Sequence, residues 1–171
     1  MPLEIERKFL LRDDGWRGDW TREHLRQGYL SGADGTTVRI RHAGTRAFLT
    51  IKAAVERDDA RDDPAGAVRR EYEYEIPFEH AAEMLTDLCR APPIEKTRHR
   101  VEHAGRLWQI DEFFGNNHGL VLAEIELADP AEPLDRPSWL GAEVTGDPRY
   151  RNSFLARHPF RTWGDAERHA A

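Results

Sequence analysis

The chain of 171 residues has one cysteine and two methionines. A single thiol forms no intrachain disulfide, and Cys89 falls in a helical pattern that suits a small buried hydrophobe better than a nucleophile. No apolar run approaches the ~20 residues of a membrane span. The acidic, strand-like N-terminus does not read as a signal peptide, so the expected setting is the cytoplasm, with no membrane partner. Positive charge is not in excess: 25 Lys and Arg stand against 31 Asp and Glu, a formal net charge of −6. That balance argues against a general nucleic-acid binder, which shows a basic domain or stripe. A glycine-rich phosphate loop is missing, because Gly32-Ala33-Asp34-Gly35 is not followed by Lys-Ser or Lys-Thr and opens no helix. The eight histidines show neither Glu-x-x-His nor His-x-His spacing, which leaves little basis for a zinc site. No period of 20 to 50 residues recurs, so the chain is not a repeat array.

What the chain does have is charge at every second position. Charged residues make up 33% of the sequence against 39% hydrophobic. In an extended strand alternate side chains share a face. Glu4, Glu6 and Lys8 therefore project together while Leu3, Ile5 and Phe9 project the other way. The design recurs in Thr37 to Arg41, in Phe48 to Lys52, in Glu71 to Ile76, in Ile94 to Val101 and in Leu120 to Ala128. Arg26 to Leu30 and Arg106 to Asp111 add further strand segments.

Turns are expected at Gly32 to Gly35, at Arg41 to Arg46, at Glu102 to Gly105 and at Gly115 to Gly119. Ala53 to Arg70, rich in Asp, Arg and Ala, reads as a long loop between adjacent strands. Phe78 to Arg90 has Ala81, Met84, Leu85 and Leu88 at helical spacing before Pro92 and Pro93. Trp139 to Val144 and Tyr150 to Arg157 read as short helices. The length suits one domain.

Any one such strand fits a sheet with its charged face in water. Six of them, with faces almost wholly Glu, Arg and Lys, weaken that reading, and if the sheet closes into a barrel those faces point either out to solvent or into a wet lumen. Buried charge has to be balanced and hydrated, so such a lumen is a binding site. Arg and Lys suit phosphate oxygens, and Lys8, Arg39, Arg41, Lys52, Lys96 and Arg98 provide for several phosphates. Carboxylates beside an anion call for a hard cation, Mg²⁺ or Mn²⁺, that accepts acid oxygens on one side and phosphate oxygens on the other. Glu4 with Glu6 and Glu124 with Glu126 form two alternating pairs for one or two ions, and Asp111 is a further candidate. The chemistry this implies is metal-assisted attack of water on a phosphoryl group.

The opening Glu4-Ile5-Glu6-Arg7-Lys8-Phe9-Leu10 resembles the signature of the CYTH superfamily, also called triphosphate tunnel metalloenzymes. Arg26-Gln27-Gly28-Tyr29-Leu30, Arg39-x-Arg41, Thr50-x-Lys52, Glu71-x-Glu73-x-Glu75, Glu95-Lys96-Thr97-Arg98, Asp111 and Glu124-x-Glu126 follow in the family's order. Trp139 to Thr145 and Arg149-Tyr150-x-Asn152 extend the likeness, which covers residues 1–157 and leaves 158–171 as a tail. The resemblance implies a mainly β (α+β) fold, an eight-stranded antiparallel β-barrel or tunnel with a charged lumen and flanking helices. It implies Mg²⁺ or Mn²⁺ as cofactor and a small-molecule triphosphate as substrate.

Carried over, Glu4, Glu6, Asp111, Glu124 and Glu126 are expected as metal ligands or to position water, and Lys8, Arg39, Arg41, Lys52, Lys96 and Arg98 as phosphate binders. The catalytic set expected is Lys8, Tyr29, Glu6 and Glu126, with Lys8 assisting the leaving phosphate, Tyr29 orienting it and Glu73 orienting the basic side chains. Homodimers are common among such barrels, though no interface is identifiable in the sequence. Within the family the likeness is greatest to the small bacterial inorganic triphosphatases, which split tripolyphosphate into pyrophosphate and phosphate. Class IV adenylate cyclase, thiamine-triphosphatase, RNA triphosphatase and a noncatalytic polyphosphate or nucleotide sensor are the alternatives.

Overall fold

A computed structural model of the chain describes residues 3–30, 35–55 and 67–168. Among them are nine strands: β1 (Leu3–Leu11), β2 (Thr21–Leu30), β3 (Thr36–Ala43), β4 (Arg46–Ala54), β5 (Val68–Ile76), β6 (Ile94–His103), β7 (Arg106–Phe113), β8 (Val121–Glu126) and β9 (Leu140–Glu143). Helix α1 (Phe78–Glu83) runs on as a wider turn through Met84–Leu88, and α2 (Asn152–Leu155) and α3 (Asp165–Arg168) follow near the end. The expected turn from Gly32 falls outside the described residues as far as position 34. The expected Ala53 to Arg70 loop is shorter than read, because β4 continues through Ala54 and β5 starts at Val68; its remainder, 56–66, lies outside the described residues.

Eight strands close into an antiparallel barrel in the order β5, β4, β3, β2, β6, β7, β8, β1, and β1 pairs back to β5. The closing seam is short, with Leu3, Glu4 and Ile5 opposite Arg70, Arg69 and Val68. Past Ile5, β9 takes over that edge of β1, setting Phe9 against Glu143 and Leu11 against Leu140. Here the structure corrects the helix expected over Trp139 to Val144. An uncovered edge of β1 would leave backbone groups unpaired, and Gly141 permits the approach, since a Cβ there would stand 2.9 Å from the Leu10 carbonyl oxygen.

One parity runs round the ring. Glu6 and Lys8 face Glu126 and Glu124, Glu124 faces Gln109, and Asp111 faces Arg98. Lys96 faces Leu25, Tyr29 faces Arg39, Arg39 faces Thr50, Thr50 faces Glu73, and Arg69 returns to Glu4. Directly opposed residues share a face, so charged side chains from seven strands meet inside, with Tyr29 from β2.

The apolar parity lies outside, under cover. Ile5, Phe9, Trp108, Ile110 and Ile125 pack beneath Trp16 and Trp139, with Trp108 and Trp139 edge to face at 5.5 Å. Helix α1 lies over Ile40, Ala47 and Leu49 through Ala81 and Leu85. A Cβ on Gly28 would meet Cys89 Sγ at 2.6 Å and Leu85 Cδ2 at 3.0 Å. Gly28→Ala is therefore expected to cost about 1–3 kcal/mol by overpacking, seen as a fall in melting temperature. Among the described residues no helix is long and apolar enough to cross a membrane.

Inside, the barrel changes character along its length. Ile94, Phe113 and Leu122 form an apolar floor with Tyr150 and Leu155 from the C-terminal segment. That segment plugs this end, and Trp163 fastens it by packing edge to face on Tyr150 at 5.3 Å.

Candidate active site

Above the plug lies a cavity of about 350 Å³. Its acids are Glu4, Glu6, Glu71, Glu73, Glu124 and Glu126, and its bases are Lys8, Lys52, Arg39, Arg41, Arg69, Arg98 and Arg151. Tyr29 also lines it. Of the residues singled out in the sequence, eleven are on this wall; Lys96 and Asp111 are not. Both of these are almost fully excluded from solvent, at 1% and 0% exposure.

The charges form two continuous relays. In the first, Lys96 donates to Asp111. Arg98 grips Asp111 with a fork, Nε to Oδ1 at 2.7 Å and Nη2 to Oδ2 at 2.7 Å, and reaches Glu124 Oε2 at 2.6 Å. Lys8 in turn donates to Glu124 and contacts Glu6 at 2.7 Å. In the second, Arg69 lies 3.8 Å from Glu4, and Lys52 Nζ donates to both Glu4 oxygens at 2.6 and 2.7 Å. Glu71 stands 3.2 Å from Lys52 and 3.8 Å from Arg39. Glu73 accepts from Arg39 at 3.2 Å, from Arg41 at 3.0 Å and from the Thr50 hydroxyl at 2.7 Å.

These contacts fix the charge states. Burial works against charge on Lys8, but Glu124 and Glu6 outweigh it and raise its pKa; Arg98 is likewise raised by Asp111 and Glu124 against burial. Burial would push Asp111 and Glu124 up, yet Arg98 with Lys96, and Lys8 with Arg98, hold both below the usual carboxylate range. Lys96 is lowered to about 8, because burial, aided by the charge of Arg98, exceeds the pull of Asp111. Arg41 is lowered to about 10 by burial and by Arg39, with Glu73 opposing. Burial raises Tyr29 to about 12 despite Arg39 and Lys8, so its hydroxyl keeps its proton at neutral pH. That hydroxyl accepts from Gln27 Nε2 at 2.8 Å, which leaves its own proton free for the cavity.

Two charged lining groups stand outside both relays. Glu126 is exposed to the cavity, directly opposite Glu6, and no ion pair or hydrogen bond joins its side chain to the described residues. Like charges facing each other across a strand pair are unfavourable unless a cation sits between them. Among the described residues no three of His, Cys, Asp and Glu form a ready-made cage. A Mg²⁺-like ion needs none, being held by one or two carboxylates with substrate phosphates and water. The Glu6 and Glu126 pair fits that requirement. Arg151 is the second such group.

Sequence reading gave Arg69 and Gln27 no role and left open whether Arg149 or Arg151 reaches the site. Arg69 was recoverable, since it continues the alternation of Glu71 and Glu73 two residues back. Gln27 lies in the Arg26 to Leu30 segment with the inward parity of Tyr29, and nothing in its type marks it out. For Arg151 the sequence offers no signal that separates it from Arg149, which the structure ties to Asp147 by Nε to Oδ1 at 3.0 Å and Nη2 to Oδ2 at 2.5 Å.

Comparison with known proteins agrees with this architecture. The chain is 41% identical to an inorganic triphosphatase of Acetivibrio thermocellus over 163 residues, 95% of this chain and 99% of that protein. It is 37% identical to an inorganic triphosphatase of Nitrosomonas europaea over 157 residues, 90% and 96% of the two chains. A crystal structure of an inorganic triphosphatase superposes with a TM-score of 0.63 at 36% identity, covering 91% of this chain and 95% of that one. A family model described as the CYTH domain matches residues 2–151, and the protein is a member of the CYTH domain family.

Proposed function

We propose that the protein is a divalent-metal-dependent triphosphatase that hydrolyses inorganic tripolyphosphate to pyrophosphate and phosphate within the barrel. The observation that carries this reading is the cavity itself, about 350 Å³ lined by acids and bases from six strands, with Tyr29 from β2 and Gln109 from β7 completing the ring. That volume is near the lower end for ligand pockets, ~300–1,000 Å³, and suits a short polyphosphate better than one bearing a large organic group. The named activity of the relatives supports the same substrate.

In this reading Arg39, Arg41, Lys52 and Arg98 hold phosphate oxygens, exchanging carboxylate partners for the ligand. Glu73 orients Arg39 and Arg41, and Asp111 with Lys96 orients Arg98 from behind the wall. Glu6 and Glu126, with Glu4 and Glu124 close on the same strands, are the residues that would hold the metal, Mg²⁺ or Mn²⁺. Bound there, the ion would offset charge on phosphoryl oxygens and lower the pKa of a water. Lys8 keeps its proton on Nζ and donates to an oxygen of the departing phosphate, and the Tyr29 hydroxyl orients the same group. The plug and the apolar floor exclude bulk water from one end.

Phosphate release from tripolyphosphate, thiamine triphosphate and ATP, each with Mg²⁺, tests the proposal. Tripolyphosphate is expected to be the preferred substrate, with release abolished by a chelator. Cyclic AMP as the main product, or tight triphosphate binding without metal-dependent release, would reverse it. Arg41→Ala should raise KM about tenfold or more with kcat changed only a few-fold, because a phosphate contact made equally in ground and transition states affects binding alone.

A further inference from the structure

Arg151 occupies a position that the two charge relays do not explain. It stands at the start of α2, on the segment that closes the barrel, and lines the cavity with Asn152 and Ser153. Every other basic residue on the wall has a carboxylate within 4 Å. The Arg151 side chain has no hydrogen bond or ion pair with the described residues, although its backbone is bonded to Pro148, Phe154 and Leu155. Its electrostatic neighbour is another cation: burial and then the charge of Arg69 lower the Arg151 guanidinium from its ordinary value. Among the described residues Arg69 has one carboxylate partner, Glu4, at 3.8 Å.

Arg151 is solvent-exposed where it lines the cavity, but the segment that carries it is anchored. Tyr150 and Leu155 on either side are buried in the apolar floor, at 1% and 0% exposure. Two residues back, Arg149 is held by Asp147 and by the Glu167 carbonyl. The plug thus turns one arginine into a local ion pair and presents the next one, unneutralised, to the cavity beside a like charge.

Two guanidinium groups facing one space, only one of them with a carboxylate within 4 Å among the described residues, form an anion site. We propose that Arg151, with Arg69, holds a terminal phosphate of the polyphosphate chain, which makes the plug part of the substrate site as well as its stopper. An end phosphate suits the position because it carries more charge and more free oxygens than a bridging one. The fork of Arg151 can engage two of those oxygens at once, and doing so relieves its repulsion with Arg69. This inference rests on the triphosphatase reading and extends it to a residue outside the barrel strands.

Steady-state hydrolysis of tripolyphosphate with Mg²⁺ by the full-length wild type, Arg151→Ala, Arg151→Lys and Arg149→Ala tests it, together with melting temperatures and titration calorimetry of tripolyphosphate. Arg151→Ala is expected to raise KM and the calorimetric Kd about tenfold or more, with kcat within a few-fold and the melting temperature unchanged. Arg151→Lys should recover part of the affinity, as a point charge without the fork. Arg149→Ala should lower the melting temperature and leave KM alone. An Arg151→Ala enzyme with wild-type KM and Kd overturns the assignment, as does a loss confined to kcat or one that tracks a fall in melting temperature. A wild type that neither binds nor hydrolyses tripolyphosphate overturns the triphosphatase reading instead, so the two failures are distinct.

Discussion

Glu126→Gln is expected to lower kcat for tripolyphosphate at least about a hundredfold while the protein melts within a degree or two of wild type. The loss is large because removing one group that stabilises developing charge costs about 10²–10³ in rate. It is separable from folding because the Glu126 side chain has no partner among the described residues and faces the cavity rather than the core. The amide keeps the volume and removes the charge, so repulsion with Glu6 falls and the fold does not suffer. Since the defect lies in holding the ion, the Mg²⁺ concentration for half-maximal rate should rise, and tripolyphosphate affinity should change far less than turnover. A kinetic series in Mg²⁺ and tripolyphosphate reads both. An unchanged kcat would move the metal away from the Glu6 and Glu126 pair. Glu124→Gln is an instructive contrast, because Glu124 is 3% exposed and anchors both Lys8 and Arg98, so that variant should lose stability and activity together.

Asp111→Ala should be the most destabilising change at the site, by about 3–5 kcal/mol, the usual consequence of leaving buried charge without its partner. Asp111 has no solvent exposure and holds Lys96 and Arg98 together; without it two cations face each other in the interior. At 2–4 °C per kcal/mol for a chain of this size, the melting temperature should fall by about 10 °C. Activity should fall as well, since Arg98 loses the fork that sets its angle. A variant that melts like wild type would show that the buried relay contributes nothing net.

The same cluster sets the acid limb of stability in the metal-free protein. Asp111 and Glu124 have folded pKa values held below their unfolded ones, which are about 3.9 and 4.3. Their contribution is therefore complete only above about pH 5, begins to fall near the unfolded values and is lost as the pH drops through the lower folded ones. Lys96 acts in the other direction. With a folded pKa of about 8 against about 10.4 unfolded, it is a burden when protonated, and stability gains from it as the pH rises between those values. Melting curves from pH 2 to 10 should show the acid loss in wild type and a shallower one in Asp111→Ala.

Most of this site was legible in the strands. Alternation alone put Glu4, Glu6 and Lys8 on one face, and likewise Arg39 with Arg41, Lys96 with Arg98, and Glu124 with Glu126, because side-chain direction in an extended chain is a local property. Depth along the barrel is not local. Lys96 and Arg98 share a parity, yet Lys96 is sealed behind the wall and Arg98 opens onto the cavity, because Asn152 of the plug lies 3.5 Å from the Lys96 ammonium. The Leu140–Glu143 stretch was misread for a related reason, since its short, mixed sequence took strand geometry from a free edge of β1 that no local pattern reveals.

By itself, then, the sequence determined which residues share a face, how many strands carry charge, and that a lumen lined by those faces would need acids and bases in balance. Only the tertiary structure decided that the charged face is the inside. Trp16, Trp139 and helix α1 cover the apolar outer face, and burying that surface is what drives the ionic face inward. It also decided which charges neutralise one another and which remain available, Glu126 and Arg151, because pairing depends on distances between strands far apart in the chain.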